Sequence, residues 1–167
     1  MNEQGLVRHT FAPVFDSASR VLILGTMPSP VSRANGFYYS HPQNRFWHIL
    51  AKLLLQPVPG TPEEKRAFLL MHGIALWDVL ASCEIEGASD ASIQKPTAND
   101  LRVILARADI RALFTTGQKA FALYRRLCQP ATGLDAIPLP STSPANARMS
   151  IEVLAESYRR ILPYLAP

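Results

Sequence analysis

The chain alternates between short runs of apolar residues and longer stretches in which apolar residues recur every three or four positions. Uninterrupted apolar runs are typical of strands covered on both faces, whereas the longer spacing is typical of helices with one buried face. The runs at 21–24, 110–115 and 136–139 therefore predict buried strands. The apolar segment 74–80 fits either a short strand or a turn that leads into a helical turn. The helical spacing covers about 44–55, 61–73, 101–108 and 150–162, with one further helix after Gly117.

Apolar strands that alternate with amphipathic helices predict a parallel sheet between helical layers, because parallel strands are joined by right-handed crossovers. Neither an internal repeat nor a linker divides the sequence, and its 167 residues fit one domain. We therefore expect a single domain over residues 1–167 with an irregular lead-in over residues 1–19. The segments 26–43 and 84–97 are expected to be loops, and a loop as long as the first is usually functional.

The composition narrows the classes of partner. Seventeen Lys and Arg residues against 13 Asp and Glu residues give a net charge of +4, which fits a polyanion such as nucleic acid. Two cysteines and four scattered histidines show no metal-ligand spacing. No run approaches the roughly 20 apolar residues that span a bilayer, and no signal-like segment opens the chain. We therefore expect a soluble cytoplasmic protein without a metal or a membrane partner.

The loop after the first predicted strand carries the groups that a nucleobase pocket requires. Gly25 lets the backbone approach a base closely, and the N–H groups of Thr26 and Met27 can donate to the negative charge that grows on a departing base. Tyr39 can stack on the base. Asn44 offers a donor and an acceptor for a base edge or a water molecule, but a neutral amide cannot act as a general base. Alternatively these residues only pack, and Asn44 caps the helix that follows.

The order of residues in this region points to a family. Gly-x-x-Pro at 25–28, an aromatic pair at 38–39 and His-Pro-x-Asn-Arg-Phe-Trp at 41–47 resemble the mismatch-specific uracil/thymine-DNA glycosylases. The match is closer to the hypoxanthine-DNA glycosylases, another branch of the uracil-DNA glycosylase superfamily. The mismatch-specific branch has a water-activating Asn two residues after the Gly, where this chain has Met27. In the hypoxanthine branch the Asn of His-Pro-x-Asn is taken as the catalytic amide, so the resemblance implies Asn44 as the catalytic residue.

A second loop, Pro-Ser-Thr-Ser-Pro-Ala-Asn at 140–146, resembles the superfamily's second motif, which presses into the duplex where the base was removed. The resemblance implies that the centre of this loop contacts DNA, with Ser141 and Ser143 binding phosphates. Pro144 and Ala145 would form a stiff, small wedge in the duplex. Asn146 would contact the opposing base or fill the space that the removed base leaves. Taken alone, the loop is better explained as a strand-to-helix turn that two prolines shape and that Ser143 or Thr142 caps.

Weaker signals lie elsewhere in the chain. Tyr39 falls where an aromatic residue of the superfamily stacks beneath the base, and Asp78 lies in the family's middle region, where it either tunes the base pocket or caps a helix. Lys119 opens a helix after a strand, a natural place for phosphate, with a solvated side chain as the alternative. Arg45 and Arg148 flank the two motifs and are expected to contact the DNA backbone.

The resemblance spans about residues 20–165 and implies a three-layer α/β/α sandwich with a central four-stranded parallel sheet. It further implies a monofunctional DNA glycosylase that hydrolyses the N-glycosidic bond of deaminated bases, chiefly hypoxanthine, in base excision repair. Neither motif contains a Lys that could form a Schiff base, so no lyase activity is expected. No cofactor is implied. The expected partner of this monomer is double-stranded DNA with deaminated bases, and single-stranded DNA is a further candidate.

Three alternatives stay open at this point. The enzyme could remove uracil, alone or beside hypoxanthine, because backbone donors fit several bases. The chain could also be a catalytically inactive module that binds damaged DNA, since Met27 replaces the usual Asn. A Ser/His hydrolase that uses Ser141 or Ser143 with His41 is the third, but the sequence lacks a Gly-x-Ser-x-Gly elbow.

Overall fold

The structure is a computed structural model that describes residues 5–165. In chain order its strands are β1 (Leu6–Arg8), β2 (Val21–Gly25), β3 (Ile74–Asp78), β4 (Leu80–Glu84), β5 (Gln94–Ala98), β6 (Ala112–Thr116) and β7 (Ala136–Leu139). The helices are α1 (Pro30–Asn35), α2 (Phe46–Leu54), α3 (Pro62–Met71), α4 (Arg102–Leu105), α5 (Gln118–Leu127), α6 (Gln129–Thr132), α7 (Ile151–Tyr158) and α8 (Leu162–Leu165). Short 3-10 turns lie at Asp90–Ser92 and Arg159–Ile161.

A four-stranded parallel sheet in the order β3-β2-β6-β7 forms the centre of the fold. Every residue of β2 and β3 is buried, as the uninterrupted apolar runs require of strands that helices cover on both faces. The predicted four-stranded parallel sheet with flanking helices is therefore confirmed. The segment 74–80 contains no helical turn, because β3 ends at Asp78 and β4 begins at Leu80.

Capping residues explain where the helices begin, and apolar residues on one face explain how they pack on the core. Thr61 caps α3 by accepting a hydrogen bond from the backbone N–H of Glu64 at 3.1 Å, and Ser150 caps α7 in the same way. Phe46 and Trp47 open α2 and are buried in the core, as expected of aromatic anchors. The last predicted helix is divided into α7, a 3-10 turn and α8.

A second, antiparallel sheet in the order β1-β4-β5 corrects two expectations. The described part of the lead-in, from residue 5, contains β1, and residues 84–97, expected to be a loop, contain the end of β4 and most of β5. The sequence concealed β5 because Gln-Lys-Pro-Thr-Ala is largely exposed and has no apolar alternation. The short helix α1 likewise lies inside the expected loop 26–43.

The parallel strands bring distant residues to one edge of the sheet. β2, β3, β6 and β7 end at Gly25, Asp78, Thr116 and Leu139, and the segments that follow them lie at the same carboxyl edge. Open α/β sheets bind their ligands at this edge. The two loops singled out in the sequence therefore meet there.

Candidate active site

A cavity of about 140 Å³ opens at the carboxyl edge of the central sheet. This is far more than the roughly 10–15 Å³ that a single water needs on the same measure. Both loops line it, together with the ends of β3 and β6. The predicted site residues in its wall are Gly25, Thr26, Met27, Tyr39, Asn44, Asp78, Ser141 and Ser143.

Gly25 forms the floor of this cavity, where no side chain fits. A Cβ atom built on Gly25 would lie 2.5 Å from Oδ1 of Asp78 and 2.7 Å from the hydroxyl oxygen of Tyr39. The glycine is therefore required by the close approach of these two polar groups. After Gly25 the chain leaves the sheet, and for the N–H groups of Thr26 and Met27 no acceptor lies within residues 5–165. Both remain available as donors at the cavity wall.

The ring of Tyr39 packs with one face against the hydrophobic core. The ring stacks on Phe46 at a centroid distance of 4.0 Å and an angle of 14° between the planes. Its hydroxyl group shares a hydrogen bond of 2.9 Å with Oγ1 of Thr116. Burial, and then the charge of Asp78, raise the pKa of the Tyr39 phenol well above its usual value, so the hydroxyl group keeps its proton. The residue adopts a left-handed backbone conformation, with φ of 52°.

Asn44 connects the two loops through its side-chain oxygen. This Oδ1 atom accepts one hydrogen bond from the hydroxyl of Thr142 at 2.8 Å and another from the backbone N–H of Phe46 at 3.0 Å. Because a backbone N–H can only donate, the orientation of the amide is fixed. The NH₂ group is then the part of Asn44 that remains for a ligand, and it has no partner within residues 5–165.

The second loop is held by groups outside it. The guanidinium group of Arg45 donates to the carbonyl oxygens of Ser143 and Asn146 at 3.1 and 2.9 Å, and also to that of Met149. The hydroxyl of Tyr158 donates to the carbonyl of Pro140 at 2.7 Å. Arg45 was predicted to contact the DNA backbone, but three loop carbonyls occupy its guanidinium group. Its contact with phosphate stays a prediction. The structure shows a further role that the sequence analysis did not predict, which is to hold the second loop in shape.

The sequence of the chain that forms this site also matches a known protein family. The family model described as the uracil DNA glycosylase superfamily matches residues 12–165, a range that contains both loops and the whole central sheet. The chain belongs to the uracil-DNA glycosylase superfamily. This membership supports DNA glycosylase as the enzyme class, and the resemblance noted in the sequence is confirmed.

Two relatives of this superfamily member carry the name hypoxanthine DNA glycosylase. The protein from Methanosarcina acetivorans is 31% identical over 147 residues, which are 87% of this chain and 92% of the relative. The protein from Methanosarcina barkeri is 31% identical over 149 residues, which are 89% of this chain and 90% of the relative. A solution NMR structure from Methanosarcina acetivorans, described as a candidate uracil DNA glycosylase, matches with a TM-score of 0.78 at 28% identity. That match covers 95% of this chain and 99% of the NMR structure's chain.

The sequence analysis missed two residues at the glycosylase site. Thr142 is buried and holds Asn44, although it was considered only as a cap of the turn. His9 lies in the expected irregular lead-in, yet its Nε2 atom is 2.8 Å from Oδ2 of Asp78 and its side chain is only 2% exposed. A single histidine that precedes Phe11 gave no signal in the sequence, because β1 has only three residues and its pairing with β4 cannot be read locally.

Asp90 adds a second carboxyl group to the cavity wall. The surrounding protein displaces water and raises the pKa of this carboxyl, while the positive charge of Lys119 acts in the opposite direction. The charge of Asp78 raises the pKa of Asp90 further, and the side chain of Thr26 lowers it. Lys119 therefore lies near the cavity but does not line it.

Four other predicted DNA-binding residues lie outside the cavity wall: Pro144, Ala145, Asn146 and Arg148. The amide of Asn146 donates to the carbonyl of Ser141 at 2.9 Å, so it braces the loop. Ala145 and Arg148 are exposed, which leaves them accessible to a duplex. Within residues 5–165, no three His, Cys, Asp or Glu side chains come together in a way that could hold a metal ion. In the same part of the chain no helix is long and apolar enough to cross a membrane.

Proposed function

We propose that the protein is a monofunctional DNA glycosylase that releases hypoxanthine from DNA as a step of base excision repair. The observation that carries the proposal is the hydrogen bond of 2.8 Å between Asn44 and Thr142, which joins the two loops beside a cavity large enough for a ring. The names of the two Methanosarcina relatives support hypoxanthine as the base.

The proposed reaction breaks the bond between the base nitrogen and C1′ of the sugar. The electron pair of that bond goes to the base, and the oxygen of a water molecule bonds to C1′ and loses a proton. The N–H groups of Thr26 and Met27 stabilise the negative charge on the departing base. Tyr39 lines the space for the base with the ring surface that Phe46 leaves uncovered.

Asn44 is the proposed catalytic residue, and its geometry narrows its task. Both lone pairs of its side-chain oxygen are used by Thr142 and by the N–H of Phe46. Asn44 therefore acts as a donor, which holds the oxygen of the attacking water or an acceptor atom of the base through its NH₂ group. A neutral amide does not remove the proton of the water, so the proton goes to solvent or to a carboxylate at the cavity.

The groups at the cavity support hydrolysis of the base–sugar bond without cleavage of the strand. Among the described residues that line it, none is a lysine, so no amine is available there to attack C1′. Ser141 and Ser143 are proposed to contact phosphates beside the extruded base, and Pro144 and Ala145 to enter the space that the base leaves. Lys119 and Arg148 add sequence-independent attraction to the backbone of double-stranded DNA, with single-stranded DNA as a second substrate.

Uracil is the second candidate base, because the matching NMR structure is described as a candidate uracil DNA glycosylase. The test is an excision panel on end-labelled duplexes that carry one inosine, uracil or xanthosine, with alkali to cleave the abasic product. We expect excision of hypoxanthine above the other two bases. Excision of uracil with intact inosine would assign the enzyme to uracil. Binding of an abasic duplex without turnover of any base would favour the inactive binding module.

A further inference from the structure

We propose that a groove at the amino edge of the central sheet, where the parallel strands begin, is a docking site for a partner protein. The segment that it binds combines bulky apolar side chains with Asp or Glu. This inference goes beyond the proposed function and does not depend on which base the enzyme releases. The position of the groove, its apolar wall and its positive charge each contribute one step.

The groove lies at the opposite edge of the sheet from the active site. Arg20, Gly73 and Arg111 line it, and they directly precede β2, β3 and β6. Leu54 and Met71, the last residues of α2 and α3, also line it. Its volume is about 570 Å³, against about 140 Å³ for the cavity of the active site. Among the residues that the structure describes, none lines both spaces, so a partner in the groove leaves the active site open to DNA.

One part of the groove wall is apolar, and it comes from the ends of three helices. Its side chains are those of Leu54, Leu70, Met71 and Leu165. Met71 is 76% exposed, and Leu55, which directly follows Leu54, is 90% exposed. Single exposed apolar residues are common on protein surfaces, but apolar side chains grouped along one groove are typical of an interaction site. Methionine also adapts its shape to different apolar neighbours. The wall therefore fits bulky apolar side chains of a partner.

The same groove carries positive charge. The guanidinium groups of Arg20 and Arg111 belong to its wall, and of the described residues that line it none is Asp or Glu. Asp16 and Asp109 shortly precede the two arginines in the chain, but neither lines the groove. A carboxylate that enters the groove is therefore attracted by the arginines and meets no acidic side chain in the wall. Complementary charge of this kind selects an acidic partner and rejects a basic one.

Arg20 is held in position for such a carboxylate. Its Nη1 atom donates to the carbonyl oxygens of Ser17 and Ser19 at 3.0 and 2.9 Å. Its Nη2 and Nε atoms donate to no group within residues 5–165, and no carboxylate of that range pairs with it. A guanidinium group binds a carboxylate through two parallel hydrogen bonds. Because the side chain is already anchored, a partner's carboxylate would bind it with little further loss of side-chain entropy.

A protein segment fits this combination better than DNA or a second copy of the chain. The DNA backbone supplies negative charge but no aliphatic side chains to cover Leu54 and Met71. A symmetric contact between two copies would bring the arginines of one groove against those of the other, where like charges repel. A segment with apolar and acidic side chains satisfies both parts of the wall.

The test selects a random peptide library, displayed on phage, on the immobilised wild-type protein and in parallel on the double variant Arg20→Glu/Met71→Ser. Fluorescence anisotropy then measures the binding of the enriched peptides to the wild type and to each single variant. Arg102→Glu and Val153→Ser are the matched controls, because they make the same kinds of change at exposed residues that do not line the groove. Thermal unfolding verifies that every variant folds.

We expect the peptides enriched on the wild type to combine Leu, Phe or Met with Asp or Glu. They should bind Arg20→Glu about fivefold or more weakly, since a surface attraction becomes a repulsion. They should bind Met71→Ser about tenfold more weakly, since a buried apolar contact is lost. The controls should bind like the wild type. Saturating duplex DNA should not displace the peptides, and both groove variants should excise at the wild-type rate, because the groove and the active site lie at opposite edges.

Several results would overturn the inference. One is a selection that enriches no peptides of this kind, or peptides that bind the groove variants as tightly as the wild type. Displacement of the peptides by duplex DNA would place them at the DNA-binding edge instead. Weaker binding of undamaged duplex to Arg20→Glu than to Arg102→Glu would assign the groove to nucleic acid. A wild-type dimer in sedimentation that Met71→Ser dissociates would assign it to a second copy of the chain. A wild type that binds the peptides but excises no base would contradict the proposed function and leave this inference intact.

Discussion

Oδ1 of Asn44 accepts a hydrogen bond from the hydroxyl of Thr142 at 2.8 Å, across a separation of 98 residues in the sequence. The same oxygen accepts the backbone N–H of Phe46, so it also satisfies a donor at the start of α2. One side chain thus stabilises a helix start, joins two loops and presents its NH₂ group to the cavity. The chemistry of the site and its assembly depend on the same atoms.

Substitution of Asn44 by Ala is expected to slow single-turnover excision by about 10²-fold or more, because one preorganised donor is lost from the transition state. Stability should fall by about 1 kcal/mol, since the N–H of Phe46 also loses its acceptor. Chemical denaturation and rapid-quench excision of inosine measure the two effects. Asn35→Ala is the matched control, because Asn35 is exposed. An Asn44→Ala protein that is folded and excises at the wild-type rate would remove Asn44 from the mechanism.

Substitution of Thr142 by Val tests the link between the loops without changing the shape of the side chain. The Asn44 amide loses one of its two anchors, so we expect excision to slow by about tenfold to 10²-fold through misplacement of the NH₂ group. Thr142→Ser keeps the hydroxyl and should excise at nearly the wild-type rate. Equal rates for the Val and Ser variants would show that the hydroxyl has no part in positioning Asn44.

The close packing around Gly25 predicts a large effect from a single methyl group. In Gly25→Ala the new Cβ would collide with Asp78 and with the hydroxyl of Tyr39, so we expect a loss of about 1–3 kcal/mol in stability and a loss of excision. Gly60→Ala serves as the control, because its Cβ would have an ordinary contact of 3.5 Å with Glu64. Urea unfolding of both variants measures the difference. A Gly25→Ala protein as stable and active as Gly60→Ala would contradict the packing described here.

The raised pKa of Asp90 predicts a pH dependence of stability. Reduced access of water raises the pKa of this carboxyl in the folded state, with Lys119 opposing the shift, so the folded protein binds the proton more tightly than the unfolded chain. The cost appears as pH rises from the pKa of the unfolded chain through that of the folded state. Asp90→Asn should therefore gain stability relative to the wild type between about pH 4 and pH 7. A difference that is constant over this range would show that Asp90 has an ordinary pKa.

Lys119 and Arg148 are expected to act on all DNA equally. Substitution of either residue by Ala should weaken the binding of damaged and undamaged duplexes by the same factor and reduce the salt-dependence slope by about 1. Binding titrations at several salt concentrations measure both quantities. A variant that weakens only damaged DNA would place that side chain at the extruded base instead.

Much of the fold could be predicted because it depends on local patterns. The apolar runs identified three strands of the central sheet, and Thr61 and Ser150 marked helix starts that the structure contains. The antiparallel sheet could not be predicted, because β1 is short and β5 is largely exposed. Their positions follow from pairing with β4 and not from any periodicity of their own.

Only part of the site could be predicted, because some of its residues lie in a local motif and others depend on long-range contacts. Asn44, Tyr39 and Gly25 lie in one continuous motif, so their residue types and order were informative. Thr142 and His9 act through partners 98 and 69 residues away, and such contacts have no local signature. Arg45 was recognised as a cation beside the motif, but its three carbonyl partners depend on the path of the second loop.

The most direct test of the account is the identity of the free base that the wild-type protein releases from a duplex with a single inosine. Mass spectrometry of the small-molecule fraction under single-turnover conditions identifies it, with Asn44→Ala in parallel. The account predicts stoichiometric hypoxanthine from the wild type, an intact abasic strand until alkali is added, and at least about 10²-fold slower release from Asn44→Ala. Release of no base by a folded protein that binds the duplex would contradict it.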